Sequence, residues 1–291
     1  MSWNSFIFNY MCKRSDGKRD AGLTTPAEVE RIDNIQYGES PKWQILDLYR
    51  PKEYSGNLPV IVSVHGGGWV YGTKETYQFY CMDLAKRGFA VVNFTYRLSP
   101  KSKHPAAIED TNSAFKWVLD NADKYNLDKD NIFAVGDSAG AQCLAIYACI
   151  LTNPEYAGKY PFKTPEGLSI KGVALNCGIY NAEKLRTVKS MKDYLPKSNP
   201  EEILHDITVI HFVTENFPPA YVMTSNEDFL REEPDFLLPV FKEKGVRYEY
   251  KKYGDDEHLL YHVFHCNMRS EEAKIANDDE CYFFKSLMNG Q

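Results

Sequence analysis

Residues 136–140 have the composition of a turn that presents a nucleophilic serine. They read Gly-Asp-Ser-Ala-Gly and lie between an apolar run at residues 132–135 and an almost wholly apolar stretch at residues 139–151. These flanks predict a strand, a sharp turn and a buried helix. Such a turn strains the serine, and glycines two residues before and after it avoid side-chain clashes. The helix N-terminus also favours developing negative charge, so we expect the Ser138 hydroxyl to attack a carbonyl carbon.

A second glycine-rich segment, His-Gly-Gly-Gly-Trp at residues 65–69, follows another apolar run at residues 60–64. Glycines there could serve a tight turn alone. They would also let backbone N–H groups approach the oxyanion of a tetrahedral intermediate. Because each segment follows a buried strand, the pair favours the second interpretation. His65 is expected to order its loop through a side-chain hydrogen bond.

The acid and the base that a nucleophilic serine requires have two candidates each. Asp228 follows the apolar run at residues 221–224, and Glu227 is its direct neighbour. Neighbouring side chains point in different directions, so only one is expected at the site. His258 and His262 both follow the predicted strand at residues 248–251. A histidine in this role must be oriented by its acid.

The two glycine-rich motifs together resemble those of the hormone-sensitive-lipase-like α/β-hydrolases. The resemblance extends over about residues 32–288 and includes four further segments, at residues 47–51, 96–100, 105–110 and 223–231. It implies an α/β-hydrolase fold and carboxylesterase activity. It also implies Asp228 as the acid, although Phe229 replaces the family's usual proline. The implied oxyanion hole is formed by the N–H groups of Gly67, Gly68 and Ala139.

The resemblance bears on the histidine in two opposing ways. The shorter spacing from Asp228 to His258 is closer to that of the family. The family's His-Gly-Phe pattern instead favours His262, because Phe264 keeps the aromatic residue two places on. His258 ends a polar run, residues 254–258, that is typical of an exposed loop tip. We therefore predict His262 as the base, with His258 as the alternative.

Buried strands alternating with helices predict an α/β protein with a mostly parallel sheet. The predicted strands are residues 45–49, paired near residues 32–37, and then 60–64, 89–95, 132–135, 173–175, 221–224 and 248–251. The predicted helices are residues 77–87, 107–125, 139–151, 234–244 and 271–288. We expect one domain over residues 1–291. Residues 1–30 and 181–218 are expected to form a lid, in which the N-terminal aromatic residues pack in the core or line an acyl pocket.

Composition excludes several other classes of function. The formal net charge is −6 without a basic stripe, so no nucleic-acid partner is expected. No signal-peptide pattern and no apolar run long enough for a membrane span is visible. Seven widely spaced cysteines favour a reduced, cytoplasmic protein. The only metal-like pattern is His262-x-x-His265-Cys266, which has no partner pair, so neither a metal nor a cofactor is expected.

The sequence thus predicts a serine hydrolase that cleaves short-chain acyl esters through an acyl-enzyme on Ser138. An amidase, an arylformamidase or a small peptidase would use the same triad. A non-catalytic small-molecule receptor on this fold is a further alternative, although the complete set of candidate residues argues against it. The expected partner is a small-molecule ester, and a homo-oligomer is compatible with the sequence.

Overall fold

A twisted sheet of eight strands forms the centre of the computed structural model, which describes residues 2–288. The strands are β1 (Val29–Gln36), β2 (Ile45–Pro51), β3 (Leu58–Val64), β4 (Ala90–Thr95), β5 (Leu127–Asp137), β6 (Ile170–Asn176), β7 (Ala220–Ser225) and β8 (Tyr248–Tyr253). Their order across the sheet is β1-β2-β4-β3-β5-β6-β7-β8. Strand β2 is antiparallel to β1 and β4, and all other neighbours are parallel. The predicted strands are confirmed.

Helices flank this sheet. They are α1 (Trp3–Asp20), α2 (Lys74–Lys86), α3 (Ala106–Tyr125), α4 (Ala139–Thr152), α5 (Pro154–Ala157), α6 (Lys189–Tyr194), α7 (Pro200–Asp206), α8 (Pro234–Lys244) and α9 (Glu271–Met288). Short 3₁₀ helices span Ala182–Leu185, Val209–His211 and Phe264–Cys266. The five predicted helices are confirmed. Within residues 2–288, none of the helices has both the length and the apolar composition that crossing a membrane would require.

The sheet has a hydrophobic core on each face, as the pleat of a doubly covered sheet requires. Along β3, Val60 and Val62 belong to the core that packs under α3 and α4. Ile61 lies between them and belongs to the opposite core, which α2 and α9 cover with residues such as Tyr80 and Phe284. Burial on both faces explains why the central strands are continuously apolar in sequence.

Helix α1 and the segment around α6 meet above the sheet. The Ser2 hydroxyl donates to Asp193 Oδ2 at 2.7 Å, and the Ser5 hydroxyl donates to the same oxygen. The expectation that the N-terminal aromatic residues pack in the core is wrong for most of them, since the side chain of Trp3, for example, is 73% exposed. Helix α1 lies on top of the molecule, and only part of its surface contacts the rest of the chain.

Candidate active site

The predicted site residues all follow the carboxyl ends of neighbouring parallel strands. Ser138 follows β5, the glycine-rich loop follows β3, Asp228 follows β7 and His262 follows β8. In parallel sheets these ends share one edge, which is where α/β proteins bind ligands. The order of the strands across the sheet therefore brings distant parts of the sequence to one place.

The backbone at Ser138 has the strained geometry of a nucleophile elbow, with φ 55° and ψ −117°. The residue is 8% exposed. A Cβ atom on Gly140 would lie 2.1 Å from the Val64 carbonyl oxygen, and one on Gly136 would lie 2.7 Å from the Gly140 carbonyl oxygen. Glycine is thus required on both sides of Ser138 for the turn to pack against β3.

The loop after β3 exposes amide groups towards this turn. Gly67 has φ +114° and Gly68 has φ +57°, and a Cβ on Gly67 would lie 2.2 Å from the Tyr71 carbonyl oxygen. Within residues 2–288, the N–H groups of Gly67, Gly68 and Ala139 donate to no protein acceptor. Gly67 and Gly68 are partly exposed and Ala139 is buried, and backbone N–H groups without a protein acceptor are the donors from which an oxyanion hole is built.

His65 stabilises this loop from below. Its ring stacks on Tyr96 with the centroids 4.0 Å apart, and its Nδ1 lies 2.7 Å from the Gly66 carbonyl oxygen. Burial lowers the pKa of His65 to about 4, so the ring is neutral at physiological pH and Nδ1 donates this bond. The expected structural role of His65 is confirmed.

Asp228 and His262 form a hydrogen-bonded pair. His262 Nδ1 lies 2.8 Å from Asp228 Oδ1, and the amide N–H of Leu230 donates to the same oxygen at 2.8 Å. Burial raises the pKa of the Asp228 carboxyl, but the hydrogen bonds from His262, Cys177 and the Leu230 amide outweigh it, and the net pKa is lowered. Asp228 is therefore a stable anion that orients the imidazole. Glu227, the competing acid, is exposed.

The alternative base, His258, lies elsewhere. Its Nδ1 is 3.0 Å from Asp255 Oδ1 in the exposed loop after β8, and its side chain is 60% exposed. The structure thus joins His262, and not His258, to Asp228. No hydrogen bond between Ser138 Oγ and His262 is present in the described part of the chain. Such bonds are often long before substrate binds.

Comparison with known proteins assigns the chain to a protein family. The BD-FAE family model matches residues 46–231, which is more than half of the chain and includes Ser138, Asp228 and the glycine-rich loop. The chain belongs to the BD-FAE family. The predicted α/β-hydrolase class, similar to hormone-sensitive lipase, is confirmed.

Two curated relatives of this BD-FAE family chain are named esterases. Esterase LipC of Mycobacterium tuberculosis is 29% identical over 67% of this chain and 50% of LipC. Versiconal hemiacetal acetate esterase of Dothistroma septosporum is 28% identical over 74% of this chain and 70% of that protein. The chain thus spans about half the length of LipC. Both names agree with the expected class of carboxylic ester hydrolase.

A solved structure extends this similarity to the whole chain. Esterase B of Lactobacillus rhamnosis, crystallised with a tributyrin phosphonate inhibitor, has a TM-score of 0.90 and 25% sequence identity. The superposition covers 99% of this chain and 95% of esterase B. The shared fold therefore includes residues 1–30 and 181–218 as well as the sheet, and the α/β-hydrolase fold predicted from the sequence is confirmed.

A second histidine–carboxylate pair, which the sequence analysis missed, involves Asp137, the residue directly before the predicted nucleophile Ser138. His265 Nε2 is hydrogen-bonded to Asp137 Oδ1, and both side chains are fully buried. Burial lowers the pKa of His265, but the negative partners outweigh it and the net pKa is raised. His262 and His265 therefore face different carboxylates and do not form the metal pattern considered from the sequence. The three-residue spacing of His262 and His265 does not indicate that the two rings bond to different carboxylates.

A cavity of about 960 Å³ lies beside the glycine-rich loop. Its lining includes residues 70–73 and, from α1, Asn9 and Lys13. Ser138, Asp228 and His262 are absent from its lining. Gly67, Gly68 and Ala139 do not line it either, so the cavity lies beyond the candidate oxyanion donors, on the side of residues 70–73.

Proposed function

We propose that this chain hydrolyses carboxylic esters through an acyl-enzyme on Ser138, with His262 as general base and Asp228 as its orienting acid. The observation that carries the proposal is the hydrogen bond between the buried Asp228 and the partly buried His262, located at the same sheet edge as the strained Ser138. The esterase names of the relatives support the choice of an ester as substrate. Amidases and peptidases share this chemistry, but no feature of the structure favours them.

In the first half of the reaction, His262 Nε2 removes the proton from Ser138 Oγ as the oxygen attacks the ester carbonyl carbon. The resulting oxyanion accepts hydrogen bonds from the amides of Gly67, Gly68 and Ala139. Asp228 holds the Nδ1 proton and stabilises the imidazolium. The intermediate then breaks its bond to the alcohol oxygen, which takes the proton from His262 Nε2.

In the second half, His262 removes a proton from water, and the hydroxide attacks the acyl carbon. The bond to Ser138 Oγ breaks, the serine recovers its proton from His262, and the carboxylic acid leaves. Each oxyanion donor of this kind contributes about 10²–10³-fold in kcat. In this mechanism the amides of Gly67, Gly68 and Ala139 supply this stabilisation.

The test of the proposed nucleophile is Ser138→Ala. The change removes one oxygen atom, so the fold is expected to persist while kcat on p-nitrophenyl butyrate falls by about 10³-fold or more. Ser15→Ala, an exposed serine of α1, serves as the matched control and should keep full activity.

Labelling with an organophosphonate identifies the nucleophile independently. Mass spectrometry should locate the adduct on Ser138 alone. Amide and formamide analogues assayed in parallel distinguish an amidase or an arylformamidase. Full activity in Ser138→Ala, or an adduct on another serine, would overturn the assignment, and binding of substrate analogues without turnover would favour a receptor.

We infer a preference for short acyl groups from the lid. A Cβ on Gly68 would lie 3.4 Å from Ser190 Oγ of α6 and 3.5 Å from the Phe8 ring of α1. The two lid helices thus close over one of the candidate oxyanion donors and narrow the space above it. A long acyl chain would have to displace them.

We also propose a reducing compartment, such as the cytoplasm. All seven cysteines are unpaired, and six of them are buried in the structure. Unpaired buried thiols are typical of proteins that fold in reducing surroundings. No disulfide is needed to hold the lid or the core together.

A further inference from the structure

Three potential metal ligands meet on the surface of the lid, away from the proposed catalytic residues. Glu183 belongs to the 3₁₀ helix Ala182–Leu185, His205 to α7 and His211 to the 3₁₀ helix Val209–His211. His205 Nδ1 lies 3.2 Å from Glu183 Oε1, and His211 Nε2 lies 3.6 Å from the same oxygen. All three ligand atoms lie within 4.8 Å of one another.

We propose that Glu183, His205 and His211 bind a divalent transition-metal ion, with Zn²⁺ as the best fit, and that the ion joins three segments of the lid. Two imidazoles and one carboxylate are an established zinc ligand set, with a fourth position left for water. At metal–ligand distances of about 2.0–2.2 Å, tetrahedral ligand atoms are about 3.3–3.6 Å apart. Both oxygen–nitrogen distances already lie at or near this range.

The arrangement of the His205 and His211 rings fits a shared metal ion better than it fits two separate hydrogen bonds to Glu183. The rings of His205 and His211 are stacked, with centroids 4.6 Å apart and an interplanar angle of 23°. Both direct a nitrogen at one carboxylate oxygen. Two stacked imidazolium ions would repel each other, whereas two neutral imidazoles on one cation would not. Partial exposure of all three side chains leaves room for the rings to close on the ion and for water to complete its coordination.

In the described part of the chain, the lysine and arginine side chains near Glu183 interact with groups other than its carboxylate. Lys184 places its ammonium group 4.1 Å from the centroid of the Phe236 ring. Lys159 pairs with Asp206 at 3.0 Å, and Arg186 pairs with Glu201. The Glu183 carboxylate is therefore not neutralised by a lysine or an arginine, and a bound cation would supply the missing charge.

The site is connected to the loop that carries Asp228. The Glu233 carboxylate accepts hydrogen bonds from the backbone N–H groups of Tyr180 at 2.7 Å and Asn181 at 2.8 Å. Glu183 lies two residues beyond Asn181. An ion on Glu183 would thus restrain a segment that is anchored beside the proposed acid, and the expected effect is a more rigid lid.

The test uses full-length protein freed of metal by chelation, titrated with ZnCl₂ in a calorimeter. The wild type should bind one ion with a Kd in the micromolar range or below. Each of Glu183→Gln, His205→Ala and His211→Ala should weaken binding at least about tenfold. Glu202→Gln, an exposed neighbour on α7, and His258→Ala, an exposed histidine outside the lid, are the matched controls and should bind like the wild type.

Thermal unfolding provides a second measurement that does not depend on activity. Saturating Zn²⁺ should raise the Tm of the wild type and of both controls by about 3–6 °C, and should not raise that of the three ligand variants. Absence of binding by the wild type would overturn the proposal, as would binding that Glu183→Gln and His205→Ala leave unchanged. Loss of zinc binding in His262→Ala alone would instead assign the ion to the Asp228–His262 pair.

Discussion

Asp228 distinguishes two histidines that the sequence alone left as alternatives. The family spacing favoured His258, and the local aromatic pattern favoured His262. Neither pattern indicates which histidine lies close to the Asp228 carboxylate in the folded chain. In the structure His262 bonds to Asp228 at 2.8 Å, and its ring lies 4.3 Å from that of Phe229. Phe229, which replaces the family's proline, thus packs beside the proposed base. A fixed ring orientation of this kind is what a general base requires.

The two histidines give a direct prediction. His262→Ala should reduce kcat/KM on p-nitrophenyl butyrate by about 10³-fold or more, because the proton acceptor is lost. His258→Ala should stay within about twofold of the wild type, since its exposed ring is hydrogen-bonded to the loop acid Asp255 and not to Asp228. Parallel kinetic assays of the two purified variants make the comparison. The opposite ranking would assign the base to His258.

Among single residues, sequence predicts best where the backbone constrains residue type. Glycines at positions 136 and 140 are required by contacts under 3 Å, and such constraints leave a local motif. His265 is the opposite case, because its partner Asp137 is remote in sequence. A pairing between distant loops leaves no pattern in a single sequence. The Asp137–His265 hydrogen bond was therefore not predicted, although each residue belongs to a motif considered in the sequence.

Helix α9 carries a buried acid into the sheet. Glu280 Oε1 accepts from the Tyr80 hydroxyl at 2.8 Å, and its Oε2 accepts from Asn176 Nδ2 at 2.7 Å. Burial raises the pKa of Glu280 from 4.5 to about 7, against the lowering effects of the Asn176 bond and the positive charge of His265. The helix is thus attached to β6 and α2 through a carboxyl group that is easily protonated.

Glu280→Gln tests this attachment. Between pH 4.5 and 7 the folded protein keeps a proton that the unfolded chain has released, so this group's contribution to stability falls as pH rises. The shift corresponds to about 3 kcal/mol across that range. The glutamine variant should lose this pH dependence. At pH 8 its free energy of unfolding should exceed that of the wild type, because Asn176 can rotate its side-chain amide to form a hydrogen bond with the amide of the introduced glutamine.

Urea unfolding at pH 5 and pH 8 measures the difference in the free energy of unfolding. Glu271→Gln, on the exposed side of α9, is the control and should keep the pH dependence of the wild type. An unchanged slope in Glu280→Gln would show that the carboxyl group titrates normally in the folded protein.

The strands and helices of the core were predicted one by one, whereas residues 1–30 and 181–218 were predicted only as lid segments, without their helices. Strands such as β3 are buried on both faces and must be apolar throughout, which makes them visible in sequence. Helix α1 has no comparable pattern, since its aromatic residues are partly exposed. Helices α6 and α7 are short, and their stability comes from tertiary contacts such as the stacking of Tyr194 on Trp69 at 4.6 Å. Lone short helices are marginal in water and leave a weak sequence signal.

In the molecule as a whole, the proposed lid is built from segments far apart in sequence that contact one another and the glycine-rich loop. Ser2 and Ser5 of the N-terminal segment bond to Asp193 beside α6. The Phe8 ring and Ser190 Oγ both approach Gly68. Helix α1 also exposes an apolar surface, which includes Trp3, Phe6, Tyr10 and Met11. The proposed lid therefore has two apolar features: the Phe8 ring, which is 38% exposed and lies beside Gly68 (the inward ring), and the exposed side chains of Trp3, Phe6, Tyr10 and Met11 (the outward surface).

These two features make opposite predictions for the substrate. If the inward ring dominates, activity on p-nitrophenyl esters should be highest for acetate and butyrate and fall by octanoate, without a jump at the critical micelle concentration. Phe8→Ala should then raise octanoate activity relative to butyrate by several-fold, because the ring that narrows the space over Gly68 is removed. Trp3→Ala, on the same helix but 73% exposed, is the matched control and should keep the wild-type profile. A profile that rises towards palmitate, or that changes in Trp3→Ala and not in Phe8→Ala, would assign selectivity to the outward surface, since an amphipathic helix can bind a lipid–water interface.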